Sequence, residues 1–262
     1  MWYENEILGK NSIMRLVWFL LLILISTLKA QAFQQSATRN VFSIWHFNEG
    51  TGTTTPDSIK GIVGTLSNGA AWVAGKHSNA LQFDGVTSGV DYTDKDEFSP
   101  GVNNVTILLS MRTSPGYATG DPVISKGQTD QYEFRLAAPN GVPGVLNLTT
   151  YNLAGSINPL SLTGFAVVND GKWHRIGFSH YKSASGALVI LWVDGKLDNQ
   201  GTQNATTMGN GTSALKTGGG AWQSETSGTI EDVTVYTRIL TLAEIKYDYL
   251  LWRGRVQNTQ SY

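Results

Sequence analysis

The 262-residue chain contains no cysteine. Disulfide bonds, cysteine-ligated zinc and thiol nucleophiles are therefore excluded together, and a secreted form would depend on packing, with a bound cation as one further means of cross-linking. A basic excess is also missing: Lys+Arg 19 against Asp+Glu 20 leaves a formal net charge of -1, and no lysine or arginine cluster provides a footprint for a phosphate backbone. Nucleic acid is not an expected partner. Long Ala/Leu/Glu/Lys stretches are scarce, which argues against a helical body, and no apolar run reaches the roughly 17 to 25 residues that span a bilayer. What is plentiful is glycine, 29 residues, together with Thr, Ser and Asn, in a chain that is 41% hydrophobic. That balance suits many short strands joined by turns, and the length suits one large all-β domain.

The longest apolar run lies near the amino terminus. Met14-Arg15, the run Leu16 to Ile25 and then Ala30-Gln31-Ala32 have the order of a secretory signal, with a basic start, an apolar core and a small-x-small cleavage site. The expected division is an upstream extension and signal over residues 1–32, a β domain over 33–255 and a loose tail over 256–262. An uncleaved anchor is the alternative. Met14 competes with Met1 as the true start, because residues 1–13 carry two glutamates.

The clearest local signal is a hairpin between Asp170 and Lys196. Ile176 and Phe178 share one side of its first strand, Arg175 and Ser179 the other, and Ser183-Ala184-Ser185-Gly186 supplies turn chemistry. Its second strand, Leu188 to Val193, is apolar at every position, so both of its faces need cover and it belongs inside a sheet. Val189, Leu191 and Val193 make a complete core-facing row. The row of Leu188, Ile190 and Trp192 then lines a ligand groove, lies under a loop or meets another subunit. Asp194-Gly195 closes the strand with a tight turn. Further strands are expected at Val41 to Phe47, Ala80 to Phe83, Val105 to Met111, Pro122 to Ser125, Tyr132 to Leu136, Val145 to Tyr151, Phe165 to Val168 and Ile230 to Tyr236. Asn199 to Gly220 reads as a long loop. Leu240 to Trp252 alone has a helical period, with Thr241 as N-cap and Glu244 as its capping-box partner.

Seven fragments occur in an order that resembles a known family. They are IWHFNEGTGTTTPDS, GKHSNALQFDG, VTILLSMRTS, DPVISKG, NDGKWHRIGFSH, LVILWVDGK and GTIEDVTVYTRILTLAEI, between Val41 and Trp252. Together they resemble the laminin-G-like jelly-roll domain of the concanavalin A-like lectin/glucanase superfamily. The resemblance implies an all-β, two-sheet antiparallel β-sandwich with sheets of six or seven strands, one of them concave. It also implies a structural calcium ion that joins the first strand to the last, which would place Asn48 or Glu49 beside Glu231, with Asp84 and the carbonyl of Ser78 nearby. The chain departs from the pattern at Asn48, where the family has Asp, and at Glu231-Asp232, where it has Asp-Glu. Without a cation, Glu49 and Asp84 simply begin turns.

Catalysis has little support in the residues. Retaining glycoside hydrolysis needs two carboxylates about 5 to 5.5 Å apart, and related enzymes carry a Glu-x-Asp-x-x-Glu type of motif that is missing here. Asp94-Lys95-Asp96-Glu97 reads as a solvated loop. His174 and His180 share a strand face but are about 20 Å apart along it, so they cannot share a metal; His46 and His77 have no histidine partners. No residue is therefore expected to be catalytic. Ligand binding would use aromatic rings that stack on sugar faces, with Trp192 first and Trp222 and Tyr151 behind it. Trp45, Trp72 and Trp173 fall inside family motifs and are expected in the core. Sequons at Asn104, Asn147, Asn204 and Asn210 are candidate glycosylation sites. The sequence reading is a secreted, non-catalytic module for carbohydrate binding or adhesion, whose partner is a glycan or an extracellular protein. The alternatives are a structural subunit of an extracellular polymer or surface layer, which would make it a homo-oligomer, and a divergent glycoside hydrolase.

Overall fold

The structure, a computed structural model, describes residues 14–28, 41–67, 69–101, 103–113, 121–127, 134–140, 144–150, 160–183, 186–203, 211–219 and 226–254. Two compact units emerge, residues 1–39 and 40–262. In the first, residues 14–28 form a helix, α1, whose apolar side chains are exposed. No helix among the described residues is long and apolar enough to cross a membrane. The expected cleavage site at Ala30-Gln31-Ala32 lies outside the described residues.

The second unit opens with β1 (Val41–Trp45), β2 (Thr54–Pro56), β3 (Val63–Leu66), β4 (Ala71–Ala74), β5 (Asn79–Asp84) and β6 (Val90–Tyr92). It continues with β7 (Val105–Arg112), β8 (Pro122–Lys126), β9 (Phe134–Asn140), β10 (Val145–Thr150) and β11 (Leu160–Thr163). The central hairpin is β12 (His174–Ser183) and β13 (Gly186–Val193), followed by β14 (Lys196–Gln203), β15 (Leu215–Thr217), β16 (Ser227–Tyr236) and the helix α2 (Leu242–Gly254). The first sheet runs β14-β13-β12-β7-β16-β5-β4, with β1 also on β16; the second runs β11-β10-β9-β8-β15-β6-β3-β2. Every pairing is antiparallel. This is the all-β two-sheet sandwich the sequence implies, with its short C-terminal helix and with eight strands per sheet where six or seven were expected.

Period-two alternation builds the core between the sheets. Ile176, Phe178, Val189, Leu191 and Val193 of the first sheet meet Phe134, Leu136, Leu146 and Leu148 of the second. Trp45 is fully buried against Tyr92, 4.2 Å between ring centroids, and its indole donates to the carbonyl of Ile62. Asp194 and Gly195 both have positive φ, 51° and 75°, as the tight turn between β13 and β14 requires, and Tyr249 of α2 leaves no room there for a side chain.

Several local expectations are corrected. Residues 165–168 form no strand; the pairing partner of β10 is β11, Leu160–Thr163, whose single buried residue gave little periodicity to read. The expected loop from Asn199 to Gly220 holds the end of β14 and all of β15. Short strands β2, β3, β4 and β6 went unforeseen because three or four residues cannot show a period.

Candidate functional site

Part of the outer face of the first sheet is covered by α2. Thr241 and Glu244 form the expected capping box: the Glu244 amide donates to Thr241 Oγ1 at 3.3 Å, and the Thr241 amide to Glu244 Oε2 at 2.8 Å. The helix then brings Ile245 onto Leu108, Trp192 and Tyr236, a second and smaller core. Trp192 is only 4% exposed and its indole donates to Ser179 Oγ at 2.8 Å. This corrects its assignment as a ligand-stacking residue: of the surplus apolar row of β13, Trp192 is covered by the chain's own helix, while Ile190 packs partly against the same cluster and Leu188 stays half-buried outside it. Beside it, all five guanidinium donors of buried Arg175 are used, on Asp248 (2.8 and 3.2 Å), the Asp232 carbonyl (2.5 Å), Ser110 (3.2 Å) and Thr234 (3.2 Å).

The expected cation site resolves differently. A bulge in β16, where Asp232 takes φ +54°, separates the half that pairs with β5 from the half that pairs with β1. In that gap Glu231 is 2% exposed and accepts from the Lys76 amide (2.9 Å), His77 Nδ1 (2.9 Å) and Trp252 Nε1 (3.1 Å). Asp232 meets His46 Nδ1 at 2.6 Å, which is the link between the last strand and the chain following the first. Asn48 offers its carbonyl to Asn79, Glu49 accepts from Thr55, and Asp84 accepts from the amides of Val86, Thr87 and Ser88 in its own turn. None of these three is hydrogen-bonded to Glu231. The Ser88 hydroxyl and those amides hold the Asp84 carboxyl well below the usual carboxylate range. Among the described residues only His77, Glu231 and Asp232 come together, their ligand atoms within 4.8 Å of one another. A hard cation wants oxygen ligands, and both Glu231 oxygens already face N–H donors, so this set does not fit calcium.

The outer face of the second sheet carries a different set of side chains, and at its centre the Ser125 hydroxyl donates to the Gly219 carbonyl at 3.1 Å. Strand register aligns Ser161, Thr149, Arg135, Ser125, Lys216, Asp91, Thr65 and Thr54 in one row, crossing every strand of the sheet. Residues directly opposite one another share a face, and their neighbours Phe134, Leu136, Leu148 and Tyr92 point the other way into the core. Ser125 is buried, Thr149, Arg135, Lys216 and Asp91 are half-buried, and the ends of the row are exposed. Lys216 Nζ and Asp91 Oδ1 lie 2.9 Å apart. No motif announces this row, since its members sit on eight separate strands and only pairing brings them into line. Alternation within β9 and β10 was the one signal that could have found part of it.

Of the other candidates, Tyr151, Trp222, Asn204 and Asn210 lie outside the described residues. Asn147 is a poor glycan acceptor in the fold: it is 9% exposed and its side-chain amide donates to Ser161 and Thr163, both at 3.0 Å. In the Asn104 sequon, Asn104 accepts from the Lys182 amide and Thr106 is fully buried, its hydroxyl bonded to Ser179 and to the Arg238 carbonyl.

A profile of the concanavalin A-like lectin/glucanases superfamily matches residues 83–246, more than half of the chain. The chain belongs to that superfamily. Its lectin/glucanase-like jelly roll is similar in fold to solved structures of both glycoside hydrolases and binding domains, a Trypanosoma rangeli sialidase among the former. Domain 4 of AbnA, a GH43 extracellular arabinanase from Geobacillus stearothermophilus, solved in complex with arabinotriose, is 18% identical with a TM-score of 0.62, over 80% of this chain and 98% of that one. The binding domain of Paraclostridial Mosquitocidal Protein 1 is 12% identical, TM-score 0.68, over 83% of this chain and 53% of that one. The receptor-binding domain of botulinum neurotoxin type G is 12% identical, TM-score 0.59, over 81% and 51%. This superfamily member thus spans about half the length of the two toxin fragments, and at these identities the likeness is one of fold. No match was found among curated protein sequences.

Proposed function

We propose that this superfamily member is a secreted, non-catalytic module that binds glycan across the outer face of its second sheet, for attachment or adhesion. The observation that carries this reading is the in-register polar row. Neighbouring strands lie about 4.8 Å apart, so the row repeats hydroxyl, guanidinium, ammonium and carboxylate groups at a spacing that lets successive hydroxyls along an extended sugar chain each find a partner. The similar fold of the arabinanase domain with bound arabinotriose supports the ligand class.

A non-catalytic role is supported by what the carboxylates do. Glu231 and Asp232, whose carboxylate oxygens come within 4.8 Å of each other, are buried and matched to histidine, indole and amide donors, which leaves no approach for a glycosidic bond. Secretion is supported by the order of Arg15, the apolar run and Ala30-Gln31-Ala32. The polymer-subunit alternative drew on the surplus apolar row of β13, and the burial of Trp192 under α2 takes the largest side chain of that row away from a subunit contact.

The test is a panel of neutral and acidic oligosaccharides titrated against the full chain, with Lys216→Ala and Thr149→Val as variants and reducing-end release measured in parallel. Glycan binding that both variants weaken by about fivefold or more, roughly 1 kcal/mol each, with no release of sugar, is the expected result. Binding that ignores both variants would place the site elsewhere, and hydrolysis of a bound glycan would end the non-catalytic reading.

A further inference from the structure

A recess of about 340 Å³ lies on the first sheet at the end of β16 remote from the small core under α2. Its floor is again set by register: Gln82 of β5 pairs with Thr229 of β16, which pairs with Arg112 of β7, so three polar side chains stand side by side on one face. Val73 of β4 and Gly171, just before β12, line its margins. The volume falls at the lower end of the range for small-molecule sites, enough for one or two sugar rings.

Arg112 is the notable member. Its guanidinium carbon is 5.4 Å from the centroid of the Trp173 ring, and among the described residues it has neither an ion pair nor a hydrogen bond. Other cations among the described residues are committed: Arg175 to Asp248, Arg238 to Glu244, Lys216 to Asp91. A cation–π contact with the indole face holds the guanidinium in place without using its N–H donors, which suits bidentate capture of a carboxylate. The nearest acid in sequence to Gly171, Asp170, does not oppose an anion there, because Lys172 (2.6 Å) and His174 (3.0 Å) already occupy its oxygens. Gln82 is exposed and also without a partner among the described residues, so its amide can both donate to and accept from a hydroxyl, as can Thr229.

The geometry points to a second ligand site in this recess, for the carboxylate of an acidic sugar of the hexuronate class, with Arg112 holding the carboxylate and Gln82 and Thr229 reading ring hydroxyls. It lies on the other sheet from the polar row and does not rest on it. Neutral sugars lack the group that Arg112 would bind, and simple carboxylates lack the hydroxyls, so the two halves of the proposal separate experimentally.

The full chain is titrated with glucuronate, galacturonate, glucose and acetate by calorimetry and by the shift of the Trp173 indole resonance. Uronate is expected to bind at least about tenfold more tightly than either glucose or acetate, since it engages both halves of the site, and to move the Trp173 signal. Arg112→Gln should lower uronate affinity by about tenfold or more, Arg112→Lys should recover only part of it, and Gln82→Ala should affect uronate more than acetate. Melting temperatures of the three variants are compared with the parent; exposed Arg112 and Gln82 are not expected to change it, and Gln82→Ala keeps the test decisive if Arg112→Gln misfolds. Equal affinity for glucose and glucuronate, no binding of either uronate, or uronate binding that survives both Arg112→Gln and Gln82→Ala would overturn the assignment.

Discussion

The two faces of the first sheet are covered by different physics. Its inner face meets the second sheet mainly through aliphatic and aromatic side chains, Ile107, Leu109, Ile176, Phe178, Val189 and Leu191 among them, and such contacts are non-directional. Part of its outer face is covered by a single helix, and there the apolar contact is small, Leu108, Trp192, Tyr236, Leu240 and Ile245. The remainder is a set of directional bonds: Arg175 to Asp248, Glu231 to Trp252 and His77, Arg238 to Glu244. The inner face therefore specifies that the sheets stack, and the outer face specifies where one helix sits. β12 runs through both environments, which makes it the place to test the difference.

The largest effect is expected at the helix side. Arg175→Met leaves the largely buried Asp248 carboxylate without its partner, which should cost about 3 to 5 kcal/mol, while the double change Arg175→Met/Asp248→Leu should recover most of that loss. Urea midpoints of the single and double variants measure it. If the single variant unfolds at the parent's midpoint, the charge network does not hold α2 and the comparison of the two faces fails.

Next in size is a pH effect that divides the two ends of β12. His180 is fully buried on the inner side, neither ring nitrogen has a partner among the described residues, and burial pushes its pKa down to about 4. As pH falls, the unfolded chain takes up the proton first. Stability at His180 is thus intact above about 6.5 and declines toward pH 4, by about 3 kcal/mol in all. His174 is opposite in sign. Its hydrogen bond to Asp194, against the opposing effect of partial burial and helped by Asp170, raises its pKa, so its contribution is complete below about 6.5 and is lost as pH rises through the raised value. His180→Phe should flatten the acid limb of the stability profile, and His174→Gln the alkaline one. Thermal unfolding across pH 4 to 9 checks both, and an acid limb unchanged in His180→Phe would refute the first assignment.

The smallest effect concerns the bulge. Glu231→Gln keeps the shape but weakens charge-assisted bonds from Trp252, His77 and the Lys76 amide, for an expected loss of about 1 to 2 kcal/mol. Because the set does not fit calcium, melting temperature should be the same with chelator and with added calcium. A rise of several degrees with calcium, abolished in Glu231→Gln, would show that the N–H donors give way to a cation.

The legible parts of the sequence were those in which one strand or one turn carries its own signal. The opposed rows of Ile176/Phe178 and Arg175/Ser179, the core-facing row Val189/Leu191/Val193 of β13 and the Thr241–Glu244 capping box appear in the structure as read, whereas of the second row Leu188/Ile190/Trp192 only Ile190 and Trp192 join the small core. Trp173 was expected in the core and instead stands half-buried under Arg112. The site residues were less legible for one reason: Trp192 carries an apolar signal that is the same whether sugar, subunit or helix covers it, and only the position of α2 distinguishes them.

By itself the sequence determined the all-β sandwich, the extent of its central hairpin, the C-terminal helix and the superfamily, because alternation, turn chemistry and motif order are local properties that survive without knowledge of pairing. Tertiary structure alone decided that α2 covers Trp192, that Glu231 faces Lys76, His77 and Trp252 at a bulge, and that Thr149, Arg135, Ser125, Lys216 and Asp91 form one row. Each of these joins residues tens of positions apart, and a register shift of one residue would turn every side chain to the opposite face.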